Sequence, residues 1–473
     1  MLKRARQRGR RSTPYCQLDE SVRPSVGNSD TIVALSTSSG RSALSVIRLS
    51  GPDCAPIARS LLSPYPATAR HATLTTAREP NSGIILDQLI AVRYEAPSSY
   101  TGEPMLELSC HGGQATSAAV LGGCLALGAR PAYAGEFTRR ALLNGKLDLA
   151  QAEALPDLID ASSEPMRRIA LGAVGGGLSQ RIAELRNGIL QLEAVMAYSV
   201  DFPEEDEGEV PQARVLSLAH DVSARLRTLL ETAGRGSVIR DGALVVFAGP
   251  PNVGKSSLFN ALLGQDRAIV TDIPGTTRDA VEHPCLIGDW PVRLVDTAGL
   301  RSSNDLVERL GIEVSERYVK DADICIVCSD GSSVPLSMIA QRVRDLGAKS
   351  TICVETKLDL RPEQQFVDDA IRVSATTGAG LDDLKMAIER QLIACYGAID
   401  YESPIVTQAR HRAMLSQAVD ELSQFTTAIE KTTTPTIATV HLRSAAGALE
   451  EIIGAVSVDD LLDEVFRRFC VGK

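Results

Sequence analysis

No run of apolar residues approaches the ~18 needed to cross a bilayer, although 44% of the 473 residues are apolar. A charged fraction of 23% fits a soluble globular protein. The ten cysteines fall singly, a distribution that excludes a disulfide scaffold and suits a reducing compartment. Cys325-Ile326-Val327-Cys328 has the spacing of a metal half-site, but no second cysteine or histidine pair matches it, and it reads as part of a buried strand. No dinucleotide fingerprint of the G-x-G-x-x-G type follows a strand. The first 28 residues hold seven basic and two acidic side chains, net +5 against −15 for the remainder, and lack the apolar core of a signal peptide. Residues 1–28 read as a disordered basic extension or an over-extended start, with an arginine-rich organelle presequence as the alternative. With a net charge of −10 overall, nucleic acid could be met only by a local basic patch.

What the chain does contain is centred on Ala248-Gly249-Pro250-Pro251-Asn252-Val253-Gly254-Lys255-Ser256-Ser257. The apolar run 243–247 precedes it and a helix-like run, 258–263, follows, which is the strand–turn–helix setting of a phosphate-binding loop. Gly249 and Gly254 allow backbone N–H groups to point at an anion, and the positive end of the helix adds to that field. Lys255 then reaches the β- and γ-phosphates, and the Ser256 hydroxyl is a ligand for Mg²⁺.

The remaining parts of a nucleotide site follow in order. Leu294-Val295-Asp296-Thr297-Ala298-Gly299 reads as a buried strand ending in Asp-x-x-Gly, with Asp296 in the Mg²⁺ shell and the Gly299 N–H near the γ-phosphate. Between them, Thr271-Asp272-Ile273-Pro274-Gly275-Thr276-Thr277 is a polar loop whose hydroxyls can complete the metal shell only while the γ-phosphate is present. Thr356-Lys357-Leu358-Asp359 ends another strand, and its carboxylate can accept both hydrogen bonds from the N1–H and N2–H₂ edge of guanine. Adenine would leave that carboxylate unpaired. Ser374-Ala375-Thr376 closes the base pocket, and the site is read as one for GTP.

Around this domain the pattern changes twice. From residue 29 to about 145 it is mixed, with strands expected at 31–35, 43–49, 89–94 and 105–111 and a helix at 114–127. Glu107 is expected to alternate inward with Met105 and Ser109, where a carboxylate is costly unless it pairs with a neighbouring strand or a ligand. His111-Gly112-Gly113 reads as a turn before a helix. Apolar stripes then run through Leu178, Ile182, Leu185, Ile189, Leu192 and Met196, and through Val215, Leu218, Val222, Leu226 and Leu229. The pattern resumes at Leu415, Ala418, Leu422, Phe425 and Ile429, so one helical domain, 146–240 with 401–473, is expected to carry the GTPase domain, 241–400, as an insertion. The acidic segment 201–207 reads as a loop between helices. The last stripe, Leu461, Leu462, Val465, Phe466 and Phe469, is expected to dock on the bundle and so to fix the final four residues near the N-terminal domain.

With Gly135-Glu136-Phe137-Thr138-Arg139-Arg140-Ala141, the Gly145-to-Ala154 segment, Gly275-Thr276-Thr277-Arg278-Asp279 and the terminal Cys470-Val471-Gly472-Lys473 in place, the chain resembles the bacterial and organellar tRNA-modification GTPase family called MnmE or TrmE, over nearly all of 30–473. That resemblance implies a fold of three domains, α/β and α: an α+β folate-binding-like N-terminal domain that also dimerises, a discontinuous helical bundle, and an inserted Ras-like GTPase domain. It implies a cytoplasmic homodimer acting on C5 of the wobble uridine of certain tRNAs. The partner is an FAD-dependent subunit, with FAD and NADH bound there, in a heterotetramer or larger assembly. A 5-formyl-tetrahydrofolate would contact Arg48, Glu107, Lys146 and Lys473; K⁺ would be held by Asn252, Thr271, Ile273 and Thr276, and Mg²⁺ by Ser256 and Thr277. Glu308 matches the residue that orients water, and Cys470 is a candidate in the modification chemistry. The chain departs from the family at Pro250, Val253, Thr356, Val471 and the turn Ser39-Gly40-Arg41-Ser42-Ala43. The rival class, a regulatory or ribosome-assembly G protein binding RNA, is expected to end in a basic RNA-binding domain, whereas residues 459–473 read as an acidic-to-amphipathic helix followed by Cys-Val-Gly-Lys.

Overall fold

The computed structural model describes residues 30–38, 40–201, 211–265, 282–296, 316–331, 334–360, 370–431, 435–454, 465–466, 469 and 471–472. They divide into two units, one from the N-terminal side to Leu147 together with 462–473, the other from Asp148 to Leu461.

The first unit is built on a seven-stranded sheet of order β3-β4-β5-β6-β2-β1-β7. Its strands are β1 (Ile32–Leu35), β2 (Leu44–Ser50), β3 (Leu62–Ser63), β4 (Thr73–Arg78), β5 (Ile85–Tyr94), β6 (Met105–His111) and β7 (Arg130–Pro131). Leu106, Leu108 and Cys110 of β6 join Ile47 and Leu49 of β2 on the covered face, beneath the helices Cys54–Leu61 and Gln114–Ala126. Period-two alternation therefore sends Glu107 to the opposite face. The expected inward carboxylate is corrected: Glu107 is half-buried and directly opposite Arg48 in the β2–β6 register. β5 starts at Ile85, four residues before the expected strand, because it pairs along β4 as well as β6.

This unit also holds a cluster of buried charge. Arg140, wholly buried on the helix Glu136–Leu143, bonds Asp30 at 2.6 Å, Glu103 at 3.1 Å and Glu136 at 3.1 Å. Arg130 takes the other oxygen of Asp30 at 2.7 Å and shares Oε1 of Glu136 at 2.6 Å. Burial alone would raise the Asp30 carboxyl, but the hydrogen bonds from both guanidiniums hold it below the usual carboxylate range.

In the second unit, the stripes read from the sequence lie on the helices Gly177–Asp201, Gln212–Asp241 and Ala409–Glu430, joined by Pro435–Ile453. Ile182, Leu185 and Ile189 meet Leu226, Leu415, Phe425 and Leu449 in one apolar core. The Leu149–Ile159 helix starts in a capping box, Asp148 accepting from the Gln151 N–H and Gln151 from the Asp148 N–H. Its Glu153 is clasped by Arg410 at 2.8 Å and by His411 at 2.6 Å.

The same unit carries a six-stranded sheet of order β13-β12-β11-β8-β10-β9. Here β8 is Ala243–Ala248, β9 Glu282–Ile287, β10 Trp290–Asp296, β11 Ile324–Ser329, β12 Thr351–Glu355 and β13 Ile371–Arg372. All neighbours are parallel except β9 on β10. Alternate residues of β8 enter two different cores, Val245 and Phe247 one, Leu244 and Val246 the other, which is why its sequence is apolar without a break. The same alternation puts Cys328 in the first core and Cys325 in the second, so the two cannot close on one ion. Burial pushes both thiols up to about 12.

The chain enters this sheet through Gly242 and comes back at Ile405 and Val406 beside the helix it left. A Cβ on Gly236 would lie 2.0 Å from the Val406 carbonyl oxygen. The Arg235 guanidinium donates to the backbone oxygens of Tyr396 at 2.9 Å and Ala398 at 2.6 Å. The acidic segment 202–207 lies outside the described residues. No described helix is long and apolar enough to cross a membrane.

The terminal stripe follows its expected course in part. Phe466 and Phe469 are buried against Gly135 of the first unit, where the bundle was expected. Val471 beyond them bridges Ala134 of the N-terminal domain, as expected of the last residues. Amphipathicity shows that a face is covered; it carries no information on what covers it.

Candidate functional site

The site lies at the carboxyl ends of the parallel strands of the second sheet, where open α/β sheets bind ligands. β8 ends at Ala248 and the next six residues turn into the helix Lys255–Gln265. The turn needs left-handed backbone at Asn252 (φ 61°) and Gly254 (φ 94°). Gly249 (φ 146°) is required for a second reason: a Cβ there would be 2.3 Å from the Cys328 carbonyl oxygen of β11. Successive N–H groups in such a turn face its concave side, and the helix adds its positive end. Lys255 is buried at 6% exposure, with its ammonium donating to the Gly249 carbonyl at 2.9 Å and the Pro250 carbonyl at 2.7 Å. Val253 is buried, whereas Ser256 and Ser257 open to solvent on the first turn. A cation enclosed by a concave array of N–H groups suits a polyphosphate.

Asp296 ends β10 in register with Phe247 of β8, which places its carboxylate on the neighbouring strand at the loop's edge. Its carboxylate and the Ser256 hydroxyl on the helix's first turn are both oxygen donors, the kind Mg²⁺ takes.

The base-reading strand is fastened to the phosphate loop. The Thr356 hydroxyl donates to the Val253 carbonyl, and the Thr356 N–H donates to the Ser329 carbonyl at 2.9 Å. Lys357, in left-handed conformation (φ 59°), sends its ammonium to the Asn252 carbonyl at 2.8 Å and the Asp330 carboxylate at 2.8 Å. The Leu358 N–H donates to the Val373 carbonyl at 3.1 Å and opens a single 3₁₀ turn through Leu360. Asp359 is set by the Ser374 hydroxyl, which donates to its Oδ1 at 2.6 Å. Ser374 Oγ in turn accepts from the Thr377 N–H at 3.2 Å, across the turn containing Ala375 and Thr376. One carboxylate oxygen is thus held while the group faces the open side, the arrangement a guanine edge requires.

Asp330 and Ser329 belong to this brace and were missed in the sequence. Their one signal is position, directly after a fully apolar strand at the ligand end of a sheet. Residues 271–277, 297–299 and Glu308 lie outside the described residues, so Asn252 is the one described member of the expected K⁺ set.

In the first unit, Arg48 and Glu107 are each other's partners, at 2.9 Å from Nε and 2.8 Å from Nη2. Tyr94 adds its hydroxyl to Glu107 at 3.2 Å, and the Arg48 guanidinium lies 5.5 Å from the Tyr100 ring centre and 5.9 Å from that of Phe137. Burial and the Glu107 carboxylate raise the Tyr94 phenol, so it stays a donor. Lys146 donates to the Pro97 carbonyl at 3.1 Å, in the same loop as Tyr100. A half-buried ion pair ringed by aromatic faces suits a flat heterocycle bearing donors and acceptors. The aromatic partners Tyr94, Tyr100 and Phe137 were not singled out in the sequence. Lys473 and Cys470 lie outside the described residues. His111 ends β6 with Nδ1 at 2.7 Å from Asp87, and Gly113 begins the next helix, as a turn should.

Two family models match the chain, one described as the GTP-binding protein TrmE N-terminus over 31–146, the other as the MnmE helical domain over 149–470. The "tRNA modification GTPase MnmE" of Bordetella parapertussis is 43% identical over 453 residues, covering 93% of this chain and 99% of its own. The protein of that name from Aquifex aeolicus is 39% identical over 450 residues, covering 94% of this chain and 100% of its own. A solved G domain, that of FeoB from Methanococcus jannaschii, is similar at 20% identity over 32% of this chain and 97% of its own, with a TM-score of 0.25. Phosphate loop, guanine-type base pocket and end-to-end likeness agree, and the chain belongs to the MnmE (TrmE) family of tRNA modification GTPases.

Proposed function

We propose that this GTPase is K⁺-dependent and works with an FAD- and NADH-using partner subunit. Together they add a carboxymethylaminomethyl group to C5 of the wobble uridine of certain tRNAs, with a tetrahydrofolate as one-carbon donor. The observation that carries the nucleotide part is the double fastening of the base-reading strand to the phosphate loop, Thr356 to Val253 and Lys357 to Asn252. It couples recognition of guanine to the position of the backbone that meets the phosphates. Lys255 orients the β- and γ-phosphates, Ser256 and Thr277 hold Mg²⁺ with Asp296 behind them, and Asn252 with Thr271, Ile273 and Thr276 holds K⁺. When bound, the two cations supply the positive charge that the phosphoryl transition state develops against. Glu308 orients the attacking water.

Arg48, Glu107 and Lys146, with Lys473, hold the folate. The Arg48–Glu107 pair already satisfies each charge, so binding exchanges one set of partners for another without stranding either group. The domain limits 29–145, 146–240 with 401–473, and 241–400 belong to the same reading, as do the homodimer and the cytoplasmic location. Mass spectrometry of tRNA wobble nucleosides from a strain lacking this protein tests it: the C5 group should disappear and return on complementation. Unchanged nucleosides would transfer the protein to the class of RNA-binding regulatory G proteins.

A further inference from the structure

The last residues described in the chain are seated where a side chain has been left out. Gly135 precedes the helix Glu136–Leu143 in left-handed conformation, φ 68°. A Cβ on it would lie 2.9 Å from Phe466 Cδ1, 3.0 Å from Phe469 Cβ and 3.1 Å from Phe466 Cβ, all well inside carbon–carbon contact. The two phenylalanine rings are 5.1 Å apart and both are buried, at 4% and 7% exposure. Beyond them, Val471 makes an antiparallel bridge to Ala134, and the Ser36 hydroxyl donates to the Gly472 carbonyl at 3.0 Å. Gly472 (φ 97°) is itself pressed against backbone, since a Cβ there would lie 2.5 Å from the Leu35 carbonyl oxygen.

The seat is rigid. Glu136, next to Gly135, is 2% exposed, bound by Arg130 at 2.6 Å and Arg140 at 3.1 Å, and accepts the Tyr133 N–H at 2.8 Å. A clash at Gly135 would therefore be relieved on the side of the tail.

We propose that Gly135 is a positioning residue, whose bare Cα seats Phe466 and Phe469 and so holds the C-terminal segment in register beside Ala134 on the N-terminal domain. This rests on the reading in which the terminal Cys-Val-Gly-Lys segment takes part in the modification reaction. The seat acts on wobble modification and is separate from GTP hydrolysis, whose residues lie in the other unit.

The test uses the full-length protein with Gly135→Ala and Gly135→Asn. Asparagine tolerates left-handed backbone better than alanine, but both bring a Cβ. Filling of the seat therefore predicts the same defect in both, whereas a purely conformational need predicts that asparagine is spared. Hydrogen exchange of the 461–473 peptide should quicken at least tenfold, with exchange over 30–146 and GTP turnover unchanged. Wobble modification in complemented cells should fall at least tenfold. A second variant, Phe466→Ala with Phe469→Ala, removes the anchors from the tail side and should give the same pair of effects without touching the N-terminal domain. Unaltered exchange of the tail, or fast exchange with normal modification, overturns the inference. Normal modification after deletion of 470–473 would instead sink the underlying reading, whatever the seat does.

Discussion

Thr356 donates its side-chain hydroxyl to the main-chain carbonyl of Val253, across 103 residues of sequence, and is 3% exposed where it does so. Thr356→Ala would leave the Val253 carbonyl buried without its donor, at about 1–3 kcal/mol. GTP affinity should fall roughly tenfold in a fluorescent-nucleotide titration, with the fold intact by circular dichroism. An unaltered affinity would mean that the fastening is not felt at the nucleotide.

Asp359→Asn exchanges an acceptor pair for a mixed group. Guanine should then bind at least about tenfold more weakly while xanthosine triphosphate improves, because the asparagine amide can donate to the xanthine carbonyl. Ser374 fixes the orientation of Asp359, so Ser374→Ala should weaken GTP binding by less than the aspartate change does. Competition between the two nucleotides gives the ratio directly.

Exchanging Na⁺ for K⁺ should raise GTP turnover at least about tenfold, since one well-placed charge supplies a few kcal/mol to the transition state. Asn252→Ala should abolish that stimulation while leaving the low Na⁺ rate. Equal rates in the two salts would remove K⁺ from the mechanism.

The clasp of Glu153 by Arg410 and His411 predicts a pH effect on stability. Burial alone would raise this carboxyl, but the hydrogen bonds from His411 and Arg410 outweigh it and hold the folded value below the unfolded one. The stabilisation is therefore present above the unfolded carboxylate range, near pH 4.3, and is lost as pH falls through the lower folded value. At pH 7, Glu153→Gln should cost about 3–5 kcal/mol, because the Arg410 guanidinium and the His411 ring lose their buried carboxylate. The gap to the parent protein should narrow towards pH 3 in urea denaturation. A constant gap across that range would rule out the carboxylate's charge as its source.

The GTPase sheet was legible because a strand covered on both faces has no polar alternation to hide it, and because the turn between β8 and its helix has a chemistry that few sequences satisfy by accident. The bundle was legible for a similar reason, its stripes holding their spacing over many turns. Glu107 was harder. Period-two alternation says that neighbours face opposite ways, but Met105 is buried on the outer face too, so it gave the wrong anchor for deciding which side was the core. Asp330 carried no motif at all, and its tie to Lys357 spans 27 residues. The tail was half legible: Phe466 and Phe469 announce burial and the last residues lie by the N-terminal domain as expected, while the surface beside the two rings is marked by a missing atom at Gly135.

The return of Val406 onto Gly236, with Arg235 gripping the Tyr396 and Ala398 carbonyls, brings both ends of the nucleotide-binding segment to one short stretch of a single helix. A body hung from one strand of chain can spin as well as swing. One hung from two strands side by side resists twisting about the long axis of its tethers. The attachment is also packed, for Ile169, Val238 and Ile239 of the neighbouring helices share one apolar core with Val245 and Phe247 of β8, so a shift of the sheet meets these helices through side-chain contact.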